Sequence, residues 1–340
     1  MVKVANIKVE ELDRSKTPAY KKCLALVPDL EKLLPKRKKV CVSFELKDTV
    51  TEMANAIRRV LINELPSYYL DYDEFKDLDT SDPYILCDFI KKQIEMLPLM
   101  ANVNEEKDIA LELHKENKTT EIIDVTTDHF VVKKGPALDK IVTNGITLCR
   151  LRPGEYIHIK NIHVAVGIGK NDPGKWEPFS NVYYEPLIKP FDEKSGVSSL
   201  VSNPTHFLIK YTTRRNVEAN KAKDFMKQVC SVLEERLKII MTQVESIPKT
   251  EYYATDILEM ETKGSIREVR IKNEKWTLIT LICRYCYILT KGNIKFITSS
   301  EIHPEVNTGI IRINHPEYKK LILDAIKKIM IDLKTIASAF

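Results

Sequence analysis

The segment from Gly169 to Lys175 has the spacing of a phosphate-binding loop, G-x-x-x-x-G-K. In such a loop, backbone amides hold the phosphates and the next residue is a Ser or Thr that binds magnesium. Here the next residue is Trp176, and Pro173 lacks one of the amides. We therefore expect no nucleotide at this loop. The rival interpretation is a rigid loop that presents Lys170, Lys175 and Trp176 to a protein partner.

A C-x-x-C pair, Cys283 and Cys286, could form half of a zinc site or a redox pair. Structural zinc requires four ligands, and the remaining cysteines form no second close pair. The pair lies in an apolar segment, so we predict two packed thiols and no bound metal. The odd, scattered set of seven cysteines also suits reduced thiols, so we expect a protein that is not secreted.

His158 and His163 lie in a strand-rich stretch without a carboxylate or cysteine at ligand spacing, and we interpret them as structural histidines. The sequence also lacks a D-x-D-x-D magnesium cluster and the G-x-S-x-G motif of serine hydrolases. We therefore expect no catalytic residues and no cofactor in this chain.

Composition constrains the possible partners. The chain has 340 residues, 44% hydrophobic and 30% charged, and its net charge of +5 is too small to indicate nucleic-acid binding by itself. The basic run from Lys36 to Lys39 lacks the interleaved aromatic residues that stack on single strands, so we expect no direct DNA contact. A stand-alone basic nucleic-acid-binding protein remains the alternative. No apolar stretch of about 18 residues occurs, so we expect no membrane-spanning segment.

Apolar periodicity predicts a strand-helix-strand-helix series that occurs twice. The first series is predicted at 40–46, 53–65, 207–211 and 225–244. The second is predicted at 266–271, 276–289, 310–313 and from Pro316 onward. In the first series, the stretch between the first helix and the following strand is far longer than the corresponding stretch in the second series. An inserted domain would account for that difference.

The long stretch carries short alternating runs, which predict a small, mainly β insert. Those runs lie at 122–125, 130–132 and 156–159. The chain is therefore divided into an N-terminal arm at 1–34, a first module at 35–100 plus 205–250, an insert domain at 101–204 and a second module at 251–340.

The long helix that ends each module carries an apolar seam. We predict that the two seams pack against each other within one chain. The residues assigned to this packing are Phe225, Val229, Leu233 and Leu237 in the first module and Ile322, Ile329, Leu333 and Ile336 in the second. Two unrelated α+β domains remain the alternative.

The first predicted helix carries polar residues that an ordinary amphipathic helix does not need. Asn55, Arg58 and Arg59 lie outside its apolar face, within the order N-A-I-R-R-V-L-x-x-E-x-P. That order, with the later M-L-P-L at 96–99, resembles the alpha-like subunits of multisubunit RNA polymerases.

Two motifs of the predicted insert resemble the same family. They are L-R-P-G-E at 151–155 and the segment 167–178, which contains Gly167, Gly169 and Lys170 and ends in K-W-E-P. The last ninety residues match more loosely. There, 274–283 keeps the apolar frame of the small partner subunit's motif but not its His, Gly, Asn and Arg.

The resemblance implies an α+β fold in which two alpha-like dimerisation modules form an internal pseudo-dimer. Residues 35–250 resemble the larger alpha-like subunit, third largest in RNA polymerase II, and residues 251–340 resemble its small partner. Fusion of the two in one chain resembles polymerases of giant cytoplasmic DNA viruses. The implied locations are the host cytoplasm, in the viral factory, and the virion.

The implied function is a non-catalytic assembly scaffold of a DNA-directed RNA polymerase. The implied partners are the second-largest and largest subunits and small zinc-binding subunits, with no homodimer. The implied subunit-interface residues are Asn55, Arg58, Arg59, Gly167, Gly169, Lys170, Lys175 and Trp176. The rivals are a nucleic-acid-binding protein and an enzyme that uses the Gly169 to Lys175 loop.

Overall fold

Helices and antiparallel sheets alternate along the chain in an α+β fold. The computed structural model describes residues 2–13, 16–27, 39–81, 87–99, 108–170, 179–187, 204–213, 221–246, 259–262, 266–301, 303 and 305–340. The helices within these ranges are α1 (Pro18–Leu26), α2 (Thr51–Asn63), α3 (Cys87–Glu95), α4 (Leu138–Ile141), α5 (Asp224–Ser246), α6 (Trp276–Leu289) and α7 (Tyr318–Ala337).

Fifteen strands are present in the same ranges. They are β1 (Lys3–Leu12), β2 (Lys39–Lys47), β3 (Pro66–Asp71), β4 (Leu78–Thr80), β5 (Ala110–Glu116), β6 (Ile123–Thr126), β7 (Phe130–Lys134), β8 (Thr147–Leu151), β9 (Tyr156–Ile168), β10 (Phe179–Pro186), β11 (Phe207–Thr213), β12 (Glu259–Thr262), β13 (Ile266–Lys272), β14 (Phe296–Glu301) and β15 (Thr308–Asn314).

The first four-stranded sheet has the order β1-β2-β11-β10. Val42, Phe44 and Leu46 alternate along β2 and are fully buried, as expected for a strand with one face on the core. The helix that follows, α2, buries Met53, Ile57 and other apolar residues at helical spacing. The predicted strands at 40–46 and 207–211 and the helices at 53–65 and 225–244 are confirmed as β2, β11, α2 and α5.

The second four-stranded sheet has the order β12-β13-β15-β14, which repeats the first order strand for strand. In each case a strand pair precedes a helix, and a second strand pair precedes a long helix. The predictions at 266–271, 276–289 and 310–313 and from Pro316 onward are confirmed as β13, α6, β15 and α7.

One hydrophobic core contains residues from both of these sheets. Helix α5 packs against α7, and α2 packs against α6. All residues assigned to the two seams are fully buried except Phe225, which is partly buried against the same core. The apolar stripes of the long helices therefore face one another instead of solvent.

The strands between α2 and β10 build a separate hydrophobic core. They form a sheet ordered β3-β9-β5-β7, in which β4 also pairs with β9, and a two-stranded sheet of β6 and β8. The strands predicted at 122–125 and 130–132 correspond to β6 and β7, and the one predicted at 156–159 is the start of the longer β9.

The N-terminal residues include a strand that the sequence did not indicate. β1 pairs antiparallel with β2, from Lys3 opposite Lys47 to Leu12 opposite Lys39. Val2 is buried in the first core. Residues 3–12 of the predicted arm are thus the edge strand of the first sheet.

Among the residues that the structure describes, no helix has both the length and the apolar character needed to cross a membrane.

Candidate protein-interaction site

The polar face of α2 is built on an anchored helix. Met53, Ile57 and Leu61 are fully buried beneath it. On the opposite side, Arg59 is exposed, while Asn55 and Arg58 are partly exposed. The backbone under these polar residues is therefore fixed by packing on four other elements, β10, β11, α5 and α6.

Arg58 is oriented by its own helix. Its Nε and Nη2 atoms both donate to Oδ1 of Asn55, at 3.1 and 3.0 Å. Residues three apart on a helix are surface neighbours, so this pair is local. The planar guanidinium is thereby held before any partner arrives, which reduces the ordering cost of a further contact.

Neither Arg58 nor Arg59 forms an ion pair with a described residue. The acidic residues at the two ends of α2 interact elsewhere, Glu52 with Arg284 and Glu64 with Arg236. The two positive charges are therefore available to a carboxylate or to backbone carbonyls of a partner.

The end of β9 lies against the C-terminus of α2. The backbone N–H of Lys170 donates to the carbonyl of Asn63 at 2.7 Å. A Cβ atom added at Gly169 would lie 3.0 Å from Cβ and 3.1 Å from Cα of Asn63, closer than ordinary packing. Glycine at this position thus permits the approach, and a carbonyl at the helix end gains a partner.

Six of the eight predicted interface residues consequently belong to one region, which we call the α2–β9 surface: Asn55, Arg58, Arg59, Gly167, Gly169 and Lys170. Gly167 is opposite Ser67 in the β3–β9 pair. Lys170 is exposed. The other two predicted residues, Lys175 and Trp176, lie outside the described residues, as does most of the loop that resembles a phosphate-binding loop.

A partly buried charge cluster was missed by sequence reasoning. Arg236 of α5 donates through Nε to Oε1 of Glu274 at 2.7 Å and through Nη2 to Oε2 of Glu274 at 2.5 Å. It also donates through Nη1 to Glu64, at the end of α2. The available signal was position: Arg236 is three residues after Leu233 and four before Ile240, so it lies at the margin of an apolar stripe.

The C-x-x-C thiols are packed inside α6, and both are buried. Burial raises the pKa of Cys286 to about 12 and raises that of Cys283 further, with a contribution from the neighbouring thiol. Metal ligation and redox exchange both require the thiolate, which this environment disfavours. No group of three or more metal-ligating side chains occurs among the described residues.

The two predicted structural histidines occupy the sheet of the second core. The rings of His158 and His114 are 5.0 Å apart between centroids. His163 has its Nδ1 3.0 Å from the carbonyl oxygen of Asn161. Of the basic run, Lys39 begins β2, and residues 36–38 lie outside the described residues.

Comparison with known proteins gives a family. Residues 43–237, more than half of the chain, match the RNA polymerase Rpb3/Rpb11 dimerisation domain. That span runs from β2 into α5 and contains the whole α2–β9 surface. It stops before the second four-stranded sheet.

Individual relatives agree with this match. The chain is 26% identical over 200 residues to subunit 3 of DNA-directed RNA polymerases II, IV and V of Arabidopsis thaliana, which covers 48% of this chain and 61% of that protein. It is 27% identical over 168 residues to RNA polymerase subunit Rpo3 of Pyrococcus furiosus, covering 46% and 59%. It is 28% identical over 187 residues to RNA polymerase II subunit rpb3 of Dictyostelium discoideum, covering 47% and 59%.

The chain thus spans about three fifths of the length of the curated relatives it matches. The matched segment carries the helix with the Arg-Arg pair, the strand that contacts its C-terminus and the buried seam of α5. The chain belongs to the RNA polymerase Rpb3/Rpb11 dimerisation domain family and is similar to alpha-like RNA polymerase subunits.

Proposed function

We propose that this chain is a non-catalytic assembly scaffold of a DNA-directed RNA polymerase. In this proposal, two alpha-like dimerisation modules in one polypeptide form an internal pseudo-dimer, and the first module contains the insert domain predicted at 101–204. The observation that carries it is the single hydrophobic core to which both four-stranded sheets and the helices α2, α5, α6 and α7 contribute.

The repetition of element order supports the pseudo-dimer. Both sheets have the same strand order, and the helices pair like with like, α2 with α6 and α5 with α7. That is the pattern expected of two related modules facing each other across an isologous contact. We infer that this chain joins the larger alpha-like subunit to its small partner.

We assign the α2–β9 surface to the second-largest polymerase subunit. Preoriented Arg58, exposed Arg59 and exposed Lys170 suit a partner with carboxylates or free carbonyls. Docking of the largest subunit and of small zinc-binding subunits completes the proposed assembly. Catalysis would belong to the two large subunits.

The proposed setting is the polymerase of a giant cytoplasmic DNA virus, in the viral factory of the host cytoplasm and in the virion. The fusion of two subunits in one chain is its basis. No direct DNA contact, membrane contact or homodimer forms part of the proposal.

Affinity purification of the tagged chain from its native cell tests the scaffold role. We expect the two large polymerase subunits to copurify in stoichiometric amounts. Copurification of nucleic acid alone, with strongly salt-dependent affinity of the isolated chain, would instead favour a nucleic-acid-binding protein.

Calorimetry with ATP and magnesium tests the enzymatic rival. We expect no heat of binding, because Trp176 cannot replace the magnesium-binding hydroxyl. A micromolar isotherm that Lys175→Ala abolishes would refute this expectation.

A further inference from the structure

The second four-stranded sheet has an unusually regular edge. β14 pairs with β15 over all six of its residues without a register shift, and no described strand pairs with its other side. The two edges of the first sheet are interrupted, β1 between Ala5 and Lys8 and β10 between Ser180 and Tyr183. Bulges of this kind keep edge strands from pairing with other chains, and β14 lacks one.

A cavity of about 260 Å³ opens beside this edge. Its wall includes Ile297, Thr298 and Ser299, which are three consecutive residues of β14. Oγ1 of Thr280 in α6 lies 3.2 Å from Oγ of Ser299, so the cavity lies between α6 and β14, the edge strand of this sheet. The rest of the wall is formed by Thr280, Cys283, Arg284 and Tyr287 of α6 and by Glu52 of α2.

Arg284 has unused hydrogen-bonding capacity at this cavity. Its Nε is buried and has no hydrogen-bond partner, and the nearest carboxylate oxygen, Oε2 of Glu52, is 4.0 Å away. The guanidinium carbon lies 5.5 Å from the centroid of the Tyr287 ring. A buried donor without a partner is costly, and a planar guanidinium binds a carboxylate with two parallel bonds.

Two lysines near this end of β14 favour the same kind of ligand, whereas Glu52 in the cavity wall already faces Arg284. Lys291 and Lys295, in the turn between α6 and β14, are exposed and form no ion pair with a described residue. Tyr287 and Phe296 are exposed by about two fifths and offer apolar contact at the same end of the strand. An acidic segment with some apolar side chains would complement both features.

We propose that β14 receives an extended, acidic segment of another polypeptide, which adds as a strand on the side of β14 where no described strand pairs and sets a carboxylate against Arg284. Main-chain hydrogen bonds supply affinity in this mode of binding, and the carboxylate supplies specificity. The site is separate from the α2–β9 surface, so the two assignments can fail independently.

Selection from a phage-displayed library of random nine-residue peptides on the full chain tests this. We expect enrichment of peptides with Asp or Glu among β-branched residues. For the synthetic peptides, Arg284→Ala should weaken binding by about tenfold or more, as expected for loss of a charge-assisted hydrogen bond. Arg150→Ala, which removes an exposed arginine of β8, should leave the affinity unchanged.

Two further measurements separate strand addition from simple charge attraction. N-methylation of alternate peptide amides should abolish binding for one set of amides and spare the other, because only one edge of an added strand is bonded. Lys295→Glu, at an exposed position that should not disturb folding, should weaken acidic peptides and not neutral ones.

Several outcomes would overturn the proposal. The first is that the selected peptides are not enriched in Asp or Glu. The second is that peptides N-methylated on either set of alternate amides bind equally well. The third is that neither Arg284→Ala nor Lys295→Glu changes the affinity for the selected peptides. A dimer of the full chain that Lys295→Glu dissociates would also overturn it, because the occupant of the edge would then be a second copy.

Discussion

Two adjacent arginines on one turn of α2 have different surroundings. Arg58 is tied to Asn55 by two hydrogen bonds, whereas Arg59 is exposed. Arg58 presents a guanidinium in a fixed orientation, and Arg59 presents an exposed charge. A partner that contacts both gains geometric specificity from Arg58 and adaptable electrostatic attraction from Arg59.

Reversing both charges should separate folding from assembly. Arg58→Glu/Arg59→Glu changes partly or fully exposed positions, so we expect circular dichroism and thermal stability close to those of the natural chain. At an interface, each lost charged contact leaves partner groups desolvated, at a cost of about 2–5 kcal/mol. The double variant should therefore fail to copurify with the second-largest polymerase subunit.

A matched control is the adjacent lysine pair of β7. Lys133 and Lys134 are exposed and lie outside the α2–β9 surface, so Lys133→Glu/Lys134→Glu should retain the subunit. Normal stoichiometry with the arginine variant would remove the role assigned to α2.

Gly309 sets how closely α6 approaches the second sheet. A Cβ atom there would lie 2.5 Å from Cγ1 of Ile279 and 3.0 Å from the carbonyl oxygen of Glu274. We expect Gly309→Ala to lower the free energy of unfolding by about 1–3 kcal/mol, as for overpacking elsewhere. Urea denaturation measures this. Ile279→Ala removes the nearest clashing atom. The double variant should therefore lose less free energy of unfolding than the sum of the losses in the two single variants.

At the scale of elements, one partly buried charge cluster joins three of them. Arg236 links α5 to Glu64 at the end of α2 and to Glu274 just before α6. The side chain of Arg236 is only 17% exposed. Removing one charge of the cluster should therefore destabilise the protein more than removing one charge of a surface ion pair.

Removing the arginine should be more harmful than removing the whole cluster. Arg236→Met leaves two nearly buried carboxylates without a cation, and we expect a loss of about 3 kcal/mol in unfolding free energy. The triple variant Arg236→Met/Glu64→Gln/Glu274→Gln should recover part of that loss in urea denaturation. Equal stability of the single variant and the natural chain would mean that the cluster contributes nothing to the junction.

The helices and inner strands were predictable because their apolar spacing is uninterrupted. β1 was not, because a bulge with Asn6 at a positive φ of 52° shifts the apolar positions from Val4 to Ile7 and Val9. The full length of β9 was missed for the same reason. Asn161, also at a φ of 52°, breaks the alternation between Ile159 and Ile162.

The candidate site was predictable only as separate motifs. Arg58, Arg59, Gly169 and Lys170 could be chosen from the sequence, but their proximity follows from the contact between β9 and the end of α2. The Arg236 cluster draws its charges from three distant segments. No local periodicity reports such a juxtaposition.

For the whole molecule, two isoleucines of α7 allow a comparison between a position in the shared core and a position on the surface. Ile329 is fully buried in that core, and Ile331 is 50% exposed. A lysine at a buried site would be an unpaired charge, so we expect Ile329→Lys to unfold or aggregate the entire chain. Ile331→Lys should be nearly neutral. Thermal melting with intrinsic fluorescence compares the two.

A truncated chain examines the same interface from the other side. The 1–250 fragment lacks α6 and α7 and would expose the seam of α5, including Leu233 and Leu237. We expect it to aggregate or self-associate in sedimentation experiments. A soluble, monomeric fragment as stable as the full chain would contradict the pseudo-dimer.

Because α5 and α7 belong to one polypeptide, their pairing does not depend on protein concentration as the pairing of separate subunits does. Separate subunits dissociate on dilution, whereas partners within one polypeptide meet at an effective concentration of roughly millimolar when the connection is short. Their association is therefore first order, insensitive to expression level, and closed to exchange with free copies. Translation of a single messenger RNA then produces the two four-stranded sheets and their helices in equal number, so no regulation is needed to balance them.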